Sequence, residues 1–386
     1  MRGKKTIKLG VDGRILTESG GLKRYAYNLL KGIRESDFIE KIFVFCNGKK
    51  PDCMCEDNKV EFVNVIYFKD KHNILWENDF LPFEIKKRKI DIFHNFANWG
   101  LPLKKCCKYV LTVHDLIPLK YPEFYRHIDV FPDAWSRMKM DMKNADAIMT
   151  DTNYVFNQIV NAYVEYKNKI SVIHLGVEDV FKKYEDDDLK EIKEKLGLPE
   201  KFILFTGKFD PRKNITVVLK VVNELKKRGW NISLVATGEK EAFEASKVYY
   251  DLNKLIGDLS IGDLVHFTGY LADKELAYLY NLAEVVLYPS KEEGFGFPVL
   301  EAMACETPII ASDIGSIREL AGDAIAYVNP ENADEIVKKM EILLKNGKMR
   351  NKYVDIGKKR VKNFKWDKAV EKTLEVYKKL AGYWNA

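Results

Sequence analysis

Residues 289–304 read PSKEEGFGFPVLEAMA, and this stretch carries the strongest fold signal in the chain. The apolar run Val285–Tyr288 before it predicts a buried strand. Pro298 favours the first turn of a helix, and Gly294 and Gly296 allow the intervening backbone to approach a ligand closely. The stretch therefore predicts a strand, a glycine-rich loop and a helix N-terminus in succession.

Two carboxylates belong to this unit, Glu293 in the loop and Glu301 in the first helical turns. An ionised carboxylate only accepts hydrogen bonds. One of these two carboxylates can therefore accept hydrogen bonds from sugar hydroxyls, while the other accepts two from the diol of a ribose. The alternative is that Glu301 merely stabilises the positive end of its helix. The surrounding glycines and aromatic residues favour the ligand-binding interpretation.

A second candidate site, GKFDPRKN at residues 207–214, follows the apolar run Phe202–Thr206 and precedes a helical pattern. Its adjacent Arg212 and Lys213 are predicted beside a helix N-terminus, where cations, free amides and the helix dipole all favour a diphosphate. The alternative is a solvent-exposed basic turn that Asn214 caps. This segment alone does not decide between the two.

Strand-like and helix-like runs alternate along the whole chain, which is typical of α/β proteins built on parallel sheets. In the first half, strands are predicted near Ile7–Asp12, Lys41–Cys46, Val60–Ile66, Asp91–Phe96, Tyr109–Val113, Asp146–Asp151 and Ile170–His174. In the second half, they are predicted near Phe202–Thr206, Ile232–Ala236, Leu264–Thr268, Val285–Pro289, Pro308–Ala311 and Ala324–Val328. Helices are predicted over Leu22–Glu35, Lys182–Glu194, Ile215–Arg228, Ala242–Ile256, Lys274–Leu282, Pro298–Ala304, Ala333–Lys345, Met349–Asn363 and Trp366–Gly382.

The domain boundary is predicted near residue 180. A length of 386 residues favours two domains rather than one. The charged stretch Lys182–Glu194 ends at a Gly-Leu-Pro turn, and a new apolar strand begins directly afterwards. We therefore expect two doubly wound domains, residues 1–180 and 181–365, with ligands bound beyond the carboxyl ends of their strands.

The charge is modest and uneven. The net charge is +6, and residues 1–180 hold 29 Lys and Arg against 24 Asp and Glu, which gives +5. Clusters at Lys86–Lys89 and Lys104-Lys105 suit an anionic lipid surface or an acidic acceptor, although a solvated helix face is the preferred interpretation. No basic run interleaved with aromatics indicates nucleic acid. No apolar stretch approaches the roughly 20 residues of a membrane span, and we expect a cytoplasmic protein.

Metal and nicotinamide chemistry have little support. None of the six cysteines forms a Cys-x-x-Cys pair, and the acidic triplet Asp186–Asp188 lies in a charged helical stretch rather than after a strand. Neither half has Gly-x-Gly-x-x-Gly after its first strand, which excludes an ordinary dinucleotide-binding dehydrogenase. We expect neither a metal nor a cofactor.

The two carboxylates, in the order Glu-x₇-Glu, resemble the motif of the retaining glycosyltransferases of family 4, which have the GT-B fold. Four other segments resemble that family in the right order: a first glycine-rich loop, a His-Asp segment, a phosphate-binding segment and a loop after the main motif. They lie at residues 11–25, 113–118, 210–214 and 312–319. The resemblance covers residues 10 to 330 and implies two Rossmann-like domains facing across a cleft, with the C-terminal helix 366–386 packed back on the first.

The resemblance also implies roles for particular residues. Arg212 and Lys213 should hold the diphosphate, with Lys208 in place of an arginine that many relatives carry. Glu301 should bind the ribose, Glu293 the donor hexose and His114 the donor sugar. The remaining contacts should come from the amides of Phe295, Gly296 and Phe297 and from the close-approach glycines Gly20 and Gly21. One departure from the family, Glu306 where glycine is common, lies away from the donor contacts.

The implied reaction is transfer of a hexose, with retention of configuration and without a metal, from a nucleotide-diphosphate sugar to a glycan or lipid-linked acceptor. The phosphate-binding segment most resembles mannosyltransferases and rhamnosyltransferases of surface-polysaccharide assembly, which points to GDP-mannose. A nucleotide-sugar epimerase and an inactive binding protein of the same fold are the alternatives. Loops 68–78 and 118–133 are expected at the acceptor. The candidate sugar-stacking or lipid-facing aromatics of the first domain, for each of which core packing is the alternative, are Trp76, Trp99, Tyr121, Phe124, Tyr125 and Trp135.

Overall fold

The computed structural model describes residues 6–382 apart from 19, 49, 53, 66–72, 123–132 and 239–251. The chain divides into two compact units. The first comprises residues 1–176 and 365–386, and the second residues 177–364. Each unit is an α/β layer structure around one parallel sheet, as the alternating pattern predicts.

The first unit contains a seven-stranded sheet in the order β3-β2-β1-β4-β5-β6-β7. Its strands are β1 Ile7–Asp12, β2 Ile39–Asn47, β3 Val60–Val65, β4 Ile92–Asn95, β5 Lys108–Val113, β6 Ala147–Thr150 and β7 Ile170–Val172. All adjacent strands pair in parallel, with Val11 beside Val44 on one side and His94 on the other. Because every crossover returns to the same edge, the loops after β1, β4, β5 and β6 lie together there.

Helices cover this sheet, and their apolar faces are buried against it. They are α1 Gly21–Ile33, α2 Leu81–Arg88, α3 Ile117–Lys120, α4 Ala134–Asn144, α5 Asn153–Ala162 and, near the end of the chain, Trp366–Leu380. On α1 the buried residues Tyr25, Leu29 and Ile33 recur at helical spacing. This recurrence is why the sequence predicts that helix.

The helix Trp366–Leu380 packs on α1 and contributes to the interior of the first unit. The hydroxyl of Tyr377, fully buried, lies 2.6 Å from Nδ1 of His94 on β4. The other ring nitrogen of His94 lies 2.8 Å from Oγ1 of Thr112, and that oxygen lies 2.8 Å from the hydroxyl of Tyr25. These hydrogen bonds join the last helix to two strands and to α1.

The second unit contains a six-stranded sheet in the order β10-β9-β8-β11-β12-β13, also parallel throughout. Its strands are β8 Phe202–Thr206, β9 Ser233–Thr237, β10 Val265–Gly269, β11 Val285–Tyr288, β12 Ile309–Ser312 and β13 Ala326–Val328. β8 and β11 are neighbours at the centre. The loops that follow them therefore begin side by side, about 5 Å apart.

The helices of the second unit follow its strands in alternation. They are α6 Asp186–Lys195, α7 Ile215–Lys227, α8 Leu252–Asp258, α9 Asp273–Leu282, α10 Phe297–Ala304, α11 Gly315–Ala321, α12 Ala333–Lys345 and α13 Gly347–Val361; the helix Trp366–Leu380 is α14. The acidic triplet Asp186–Asp188 is the exposed first turn of α6. None of the helices within the described ranges is long and apolar enough to cross a membrane.

Helices α2, α3, α4 and α5 of the first unit have no counterpart in the sequence prediction. α2 follows a π-helical turn at Trp76–Phe80, which shifts the spacing of apolar residues away from a regular helix. The segment 312–319, expected as a loop, becomes helical at Gly315. The predicted helix Ala242–Ile256 lies mostly outside the described residues, and its described part belongs to α8.

Replacement of Gly32 by alanine should destabilise the contact between α1 and α14. A Cβ at this position would stand 2.4 Å from Cγ2 of Val370, closer than packed atoms can approach. We expect a loss of about 1–3 kcal/mol in urea-induced unfolding. Gly257→Ala is the control, because nothing lies within 4 Å of the point that its methyl group would occupy and alanine favours a helix. Equal stability of the two variants would contradict the close contact.

Candidate active site

The turn after β8 presents two cations. Gly207 has φ +122°, a backbone conformation that disfavours side chains, and the chain then enters a short helical turn at Pro211–Lys213. The carboxylate of Asp210 accepts a hydrogen bond from the amide of Lys213 at 3.2 Å and so caps this turn. Asn214 does not cap α7; it has φ +61°, and its amide donates to the carbonyls of Pro289 and Pro330. The cap by Asn214, which belonged to the alternative interpretation of this segment, is therefore absent.

Both cations turn toward Glu293 on the loop after β11. Nη1 of Arg212 lies 2.8 Å from Oε2 of Glu293, and Nζ of Lys213 lies 2.6 Å from Oε1. Lys213 also donates to the hydroxyl of Tyr288 at 2.8 Å, and its ammonium lies 4.8 Å from the centroid of that ring. The glutamate is 6% exposed. The structure thus joins the two candidate sites of the sequence into one cluster, which we call the Glu293 cluster: Arg212, Lys213, Tyr288 and Glu293.

The electrostatics of this cluster depend on the ion pairs. Burial alone would raise the pKa of Glu293, but the adjacent Arg212 and Lys213 outweigh it and lower that pKa to about 2. Burial also lowers the pKa of Lys213, and the attraction of Glu293 opposes this. Burial and the charge of Glu293 raise the pKa of Tyr288 well above its ordinary value. At neutral pH the cluster therefore holds an ionised glutamate and a neutral tyrosine.

The loop after Glu293 is fixed at both ends. The hydroxyl of Ser316 on α11 donates to the carbonyl of Glu293 at 2.7 Å. Gly296 has φ +114° where the loop enters α10, which explains why glycine occupies that position. Phe295 is buried and contacts the half-buried Phe297 edge to face at 5.2 Å between ring centroids. These contacts hold the loop amides in one arrangement.

Glu301 lies on α10 and is 1% exposed. The hydroxyl of Tyr280 donates to its Oε2 at 2.6 Å and lies 3.2 Å from Oγ1 of Thr206 at the end of β8. Burial and the charge of Glu301 raise the pKa of Tyr280 well above its ordinary value. Lys208, by contrast, is solvent-exposed.

The remaining predicted site residues belong to the first unit. Gly20 has φ +99° and ψ −163°, a conformation open essentially to glycine, and Gly21 begins α1. His114 follows β5 and is 7% exposed. Its Nδ1 lies 2.6 Å from Oδ2 of Asp151, and its Nε2 lies 2.9 Å from the carbonyl oxygen of Phe96. Both ring nitrogens therefore already have protein partners.

Sequence reasoning missed several residues that organise the site. Tyr288 and Tyr280 support Glu293 and Glu301, Asp210 caps the basic turn, and Ser316 holds the loop. Three of them carried a signal in the sequence, because Asp210 and Ser316 lie within the segments 210–214 and 312–319 and Tyr288 directly precedes the stretch 289–304. Tyr280 carried none, because the sequence does not show which way the side chains of its helix point.

The predicted stacking aromatics of the first unit have different environments. Trp76 is fully buried and packs on Phe80, so core packing accounts for it. Trp135 is half-buried and stacks on Tyr163 at 5.8 Å between ring centroids. Trp99 and Tyr121 are also half-buried. Phe124 and Tyr125 lie outside the described residues.

Comparison with known proteins agrees with this architecture. Residues 188–360 match the family described as glycosyl transferases group 1, and residues 19–180 match Glycosyltransferase Family 4. The structure of sucrose-phosphate synthase from Thermosynechococcus elongatus superposes with a TM-score of 0.80 at 19% identity, covering 98% of this chain and all of that one. The two parallel-sheet domains thus have the GT-B fold of glycosyltransferases.

Among characterised relatives, the serotype-specific mannosyltransferase WbdA of Escherichia coli is 31% identical over 240 residues, which are 61% of this chain and 29% of that protein. The match thus spans less than a third of that relative. The O-antigen chain mannosyltransferase B of Escherichia coli is 25% identical over 93% of this chain and 96% of its own length. Residues 188–360 thus belong to the group 1 glycosyl transferases, and residues 19–180 to Glycosyltransferase Family 4.

Glu293→Gln should lower the stability of the second unit. The exchange leaves two cations beside a neutral amide, one of them the largely buried Lys213, and removal of one partner of a buried pair costs about 3–5 kcal/mol. Because the pKa of Glu293 lies below its ordinary value, its stabilisation is complete above pH 4.5 and is lost as the pH falls toward 2. Between pH 7 and pH 3, the thermal unfolding midpoint of the wild type should therefore fall more steeply with decreasing pH than that of the variant.

Glu331→Gln is the matched control, since that side chain is exposed and lies 3.6 Å from Lys291 in a surface pair. It should leave the unfolding midpoint within about 1 °C of the wild type. A Glu293→Gln midpoint equal to that of the control would show that the buried ion pairs do not stabilise the fold.

Proposed function

We propose that this enzyme is a retaining hexosyltransferase that moves mannose from GDP-mannose to a hydroxyl of a glycan or glycolipid. The observation that carries the proposal is the Glu293 cluster, in which Arg212 and Lys213 converge at the carboxyl edge of the second sheet. Two cations at such an edge suit a diphosphate. The relatives described above are a serotype-specific and an O-antigen chain mannosyltransferase, which supports mannose as the sugar and a polysaccharide as the acceptor.

In this proposal the diphosphate of the donor competes with Glu293 for the two cations. The carboxylate, released in part from Arg212 and Lys213, accepts hydrogen bonds from hydroxyls of the hexose. The bond between the anomeric carbon and the diphosphate breaks through an oxocarbenium-like state, and the cations stabilise the charge that accumulates on the leaving group. The oxygen of the acceptor hydroxyl then bonds to the same face of the anomeric carbon, and the hydroxyl proton passes to the leaving diphosphate. No metal takes part in these steps.

The proposed roles of Glu301 and Lys208 are separable. Glu301 would exchange its hydrogen bond from Tyr280 for those of the ribose diol, an exchange between donors of the same kind. Lys208 is exposed beside the basic turn and would act as a point charge without bidentate geometry.

The amides of Phe295, Gly296 and Phe297 would contact the sugar and phosphate, and the Gly20-Gly21 turn would approach the phosphates and acceptor. His114 would lie at the donor sugar.

Lys213→Ala should abolish transfer, and Glu301→Gln should weaken binding of the nucleotide sugar. The alanine removes a charge that the leaving diphosphate needs, with an expected loss of about 100-fold or more in kcat. The glutamine removes a charged acceptor, with a cost of about 1.5–3 kcal/mol in binding. Product formation and donor Kd are the measurements. Lys220→Ala, on the exposed side of α7, is the control. Wild-type behaviour of both site variants would refute the assigned roles.

The donor base can be identified by thermal unfolding with GDP, UDP, dTDP, ADP and NAD at millimolar concentrations. A ligand at 100 times its Kd stabilises the folded state by about 2.7 kcal/mol, which raises the unfolding midpoint by several degrees. We expect a selective shift with GDP. A shift with UDP alone would replace GDP-mannose by another donor, and no shift with any nucleotide would favour the inactive binding protein. Conversion of the nucleotide sugar without an acceptor would instead indicate an epimerase.

A peripheral membrane contact is part of the proposal for a lipid-linked acceptor. Phe83 on α2 is 62% exposed, and Lys87 lies 5.8 Å from its ring centroid, with Lys86 exposed beside them. An apolar ring among lysines suits an anionic bilayer surface. We expect salt-sensitive sedimentation with phosphatidylglycerol vesicles, weakened in Phe83→Ser. Val164→Ser, at another exposed apolar residue, is the control, and equal binding of the two variants would argue against this surface.

A further inference from the structure

Three loops at the carboxyl edge of the first sheet meet at one imidazole. His114 lies directly after β5, Phe96 directly after β4, and Asp151 directly after β6. The ring joins them through Nδ1 to the carboxylate of Asp151 at 2.6 Å and through Nε2 to the carbonyl of Phe96 at 2.9 Å. The amide of His114 also donates to Oδ1 of Asn98 at 2.7 Å. The imidazole therefore holds the ends of three adjacent strands in one arrangement.

The partners of His114 determine its protonation. A backbone carbonyl only accepts hydrogen bonds, so Nε2 must carry a proton; an ionised carboxylate also only accepts, so Nδ1 must carry one too. His94 provides the contrast. Its two ring nitrogens face the hydroxyls of Tyr377 and Thr112, which can donate or accept, so a neutral ring satisfies both. His114 therefore requires a proton on both ring nitrogens, whereas His94 requires a proton on only one.

The charged and titratable groups around His114 agree with this assignment. Burial opposes a charge on the ring, but Asp151 and, more weakly, the adjacent Asp115 outweigh it and raise the pKa of His114. On the other sides the ring faces uncharged partners: Tyr25 of α1 edge to face at 4.7 Å, its pKa raised by burial and by Asp151, and His94 of β4. Burial and the charge of His114 lower the pKa of His94 well below its ordinary value.

We propose that Asp151 is a positioning residue for transfer: it keeps His114 doubly protonated, and the imidazolium fastens the loop after β4 to the loops after β5 and β6. This inference rests on the proposed function, in which His114 lies at the donor sugar. With both N–H groups committed to Asp151 and Phe96, His114 does not take the proton of the acceptor hydroxyl. It acts as a fixed cation and as a tether for the loops.

The protonation itself can be measured on the unmodified enzyme. Nitrogen-15 NMR of histidine-labelled full-length protein, with the His114 signals assigned by their loss in His114→Gln, should show two ring N–H groups at pH 7.5. In Asp151→Asn the neutral amide no longer opposes burial, so the pKa of His114 should fall and the second N–H should form only at more acidic pH. A single ring N–H in the wild type at pH 7.5 would overturn the proposal, whatever the activity.

The pH dependence of transfer tests the positioning role. At pH 8 we expect kcat/KM of Asp151→Asn to be about tenfold or more below the wild type, because a group whose pKa lies a unit or more below the pH is protonated in about a tenth of the molecules or fewer. As the pH falls to 5.5 the variant should approach the wild type, because its His114 regains the second proton. If Asp151 had only a structural role, kcat/KM of the variant would stay low at acidic pH. Nucleoside diphosphate binding, measured by calorimetry, should be unchanged, since the Glu293 cluster belongs to the other unit.

Asp146→Asn is the matched control. Asp146 directly precedes β6 as Asp151 follows it, and its carboxylate accepts from the amide of Tyr109 at 2.7 Å without contacting a histidine. We expect it to lower stability without moving the pH profile. Equal pH profiles of Asp151→Asn and wild type would overturn the positioning role. Absence of transfer in the wild type would refute the proposed function instead, and the NMR result would still decide the protonation of His114.

Discussion

The attraction between Glu293 and the adjacent Arg212 and Lys213 is the constraint on which the second unit depends. A buried carboxylate is stable only if cations and donors replace the water it loses, and here each oxygen has one cation within 2.8 Å. The pairs join the turn after β8 to the loop after β11. They also leave the two cations with an internal anion, which a diphosphate must outcompete. The same ion pairs therefore stabilise the fold and lower the affinity of the two cations for a diphosphate, which must displace Glu293 in order to bind.

The parallel arrangement of the strands brings Glu293 into contact with Arg212 and Lys213. β8 and β11 are separated by about eighty residues in sequence, yet they are neighbours in the sheet, and their carboxyl ends point the same way. The same geometry in the first unit brings His114 and Asp151 together from β5 and β6. Each unit thus collects its polar side chains at one edge by topology, while the apolar strands beneath provide a rigid base.

The sequence predicts the sheets well because the described strands are apolar runs with turn residues between them: β1 and β8 begin and end at the predicted residues. It predicts Arg212, Lys213 and Glu293 as ligand-binding residues but not their mutual contact, because side-chain direction depends on which strands become neighbours. Asn214 shows the same limit, since a left-handed backbone turns its amide to Pro289 and Pro330 and leaves capping to Asp210. The roles of these residues in binding remain predictions.

The hydrogen bond between Tyr377 and His94 has a consequence for the order in which the two units complete their folding during synthesis. Residues 177–364 form a continuous segment that is synthesised before α14, whereas the first unit lacks this helix until residues 366–380 have been made. The earlier half of the chain must therefore wait, with the polar ring of His94 lacking the Tyr377 hydroxyl, while the later half folds. Of the two units, the one that begins earlier in the sequence is therefore the later one to complete its interior.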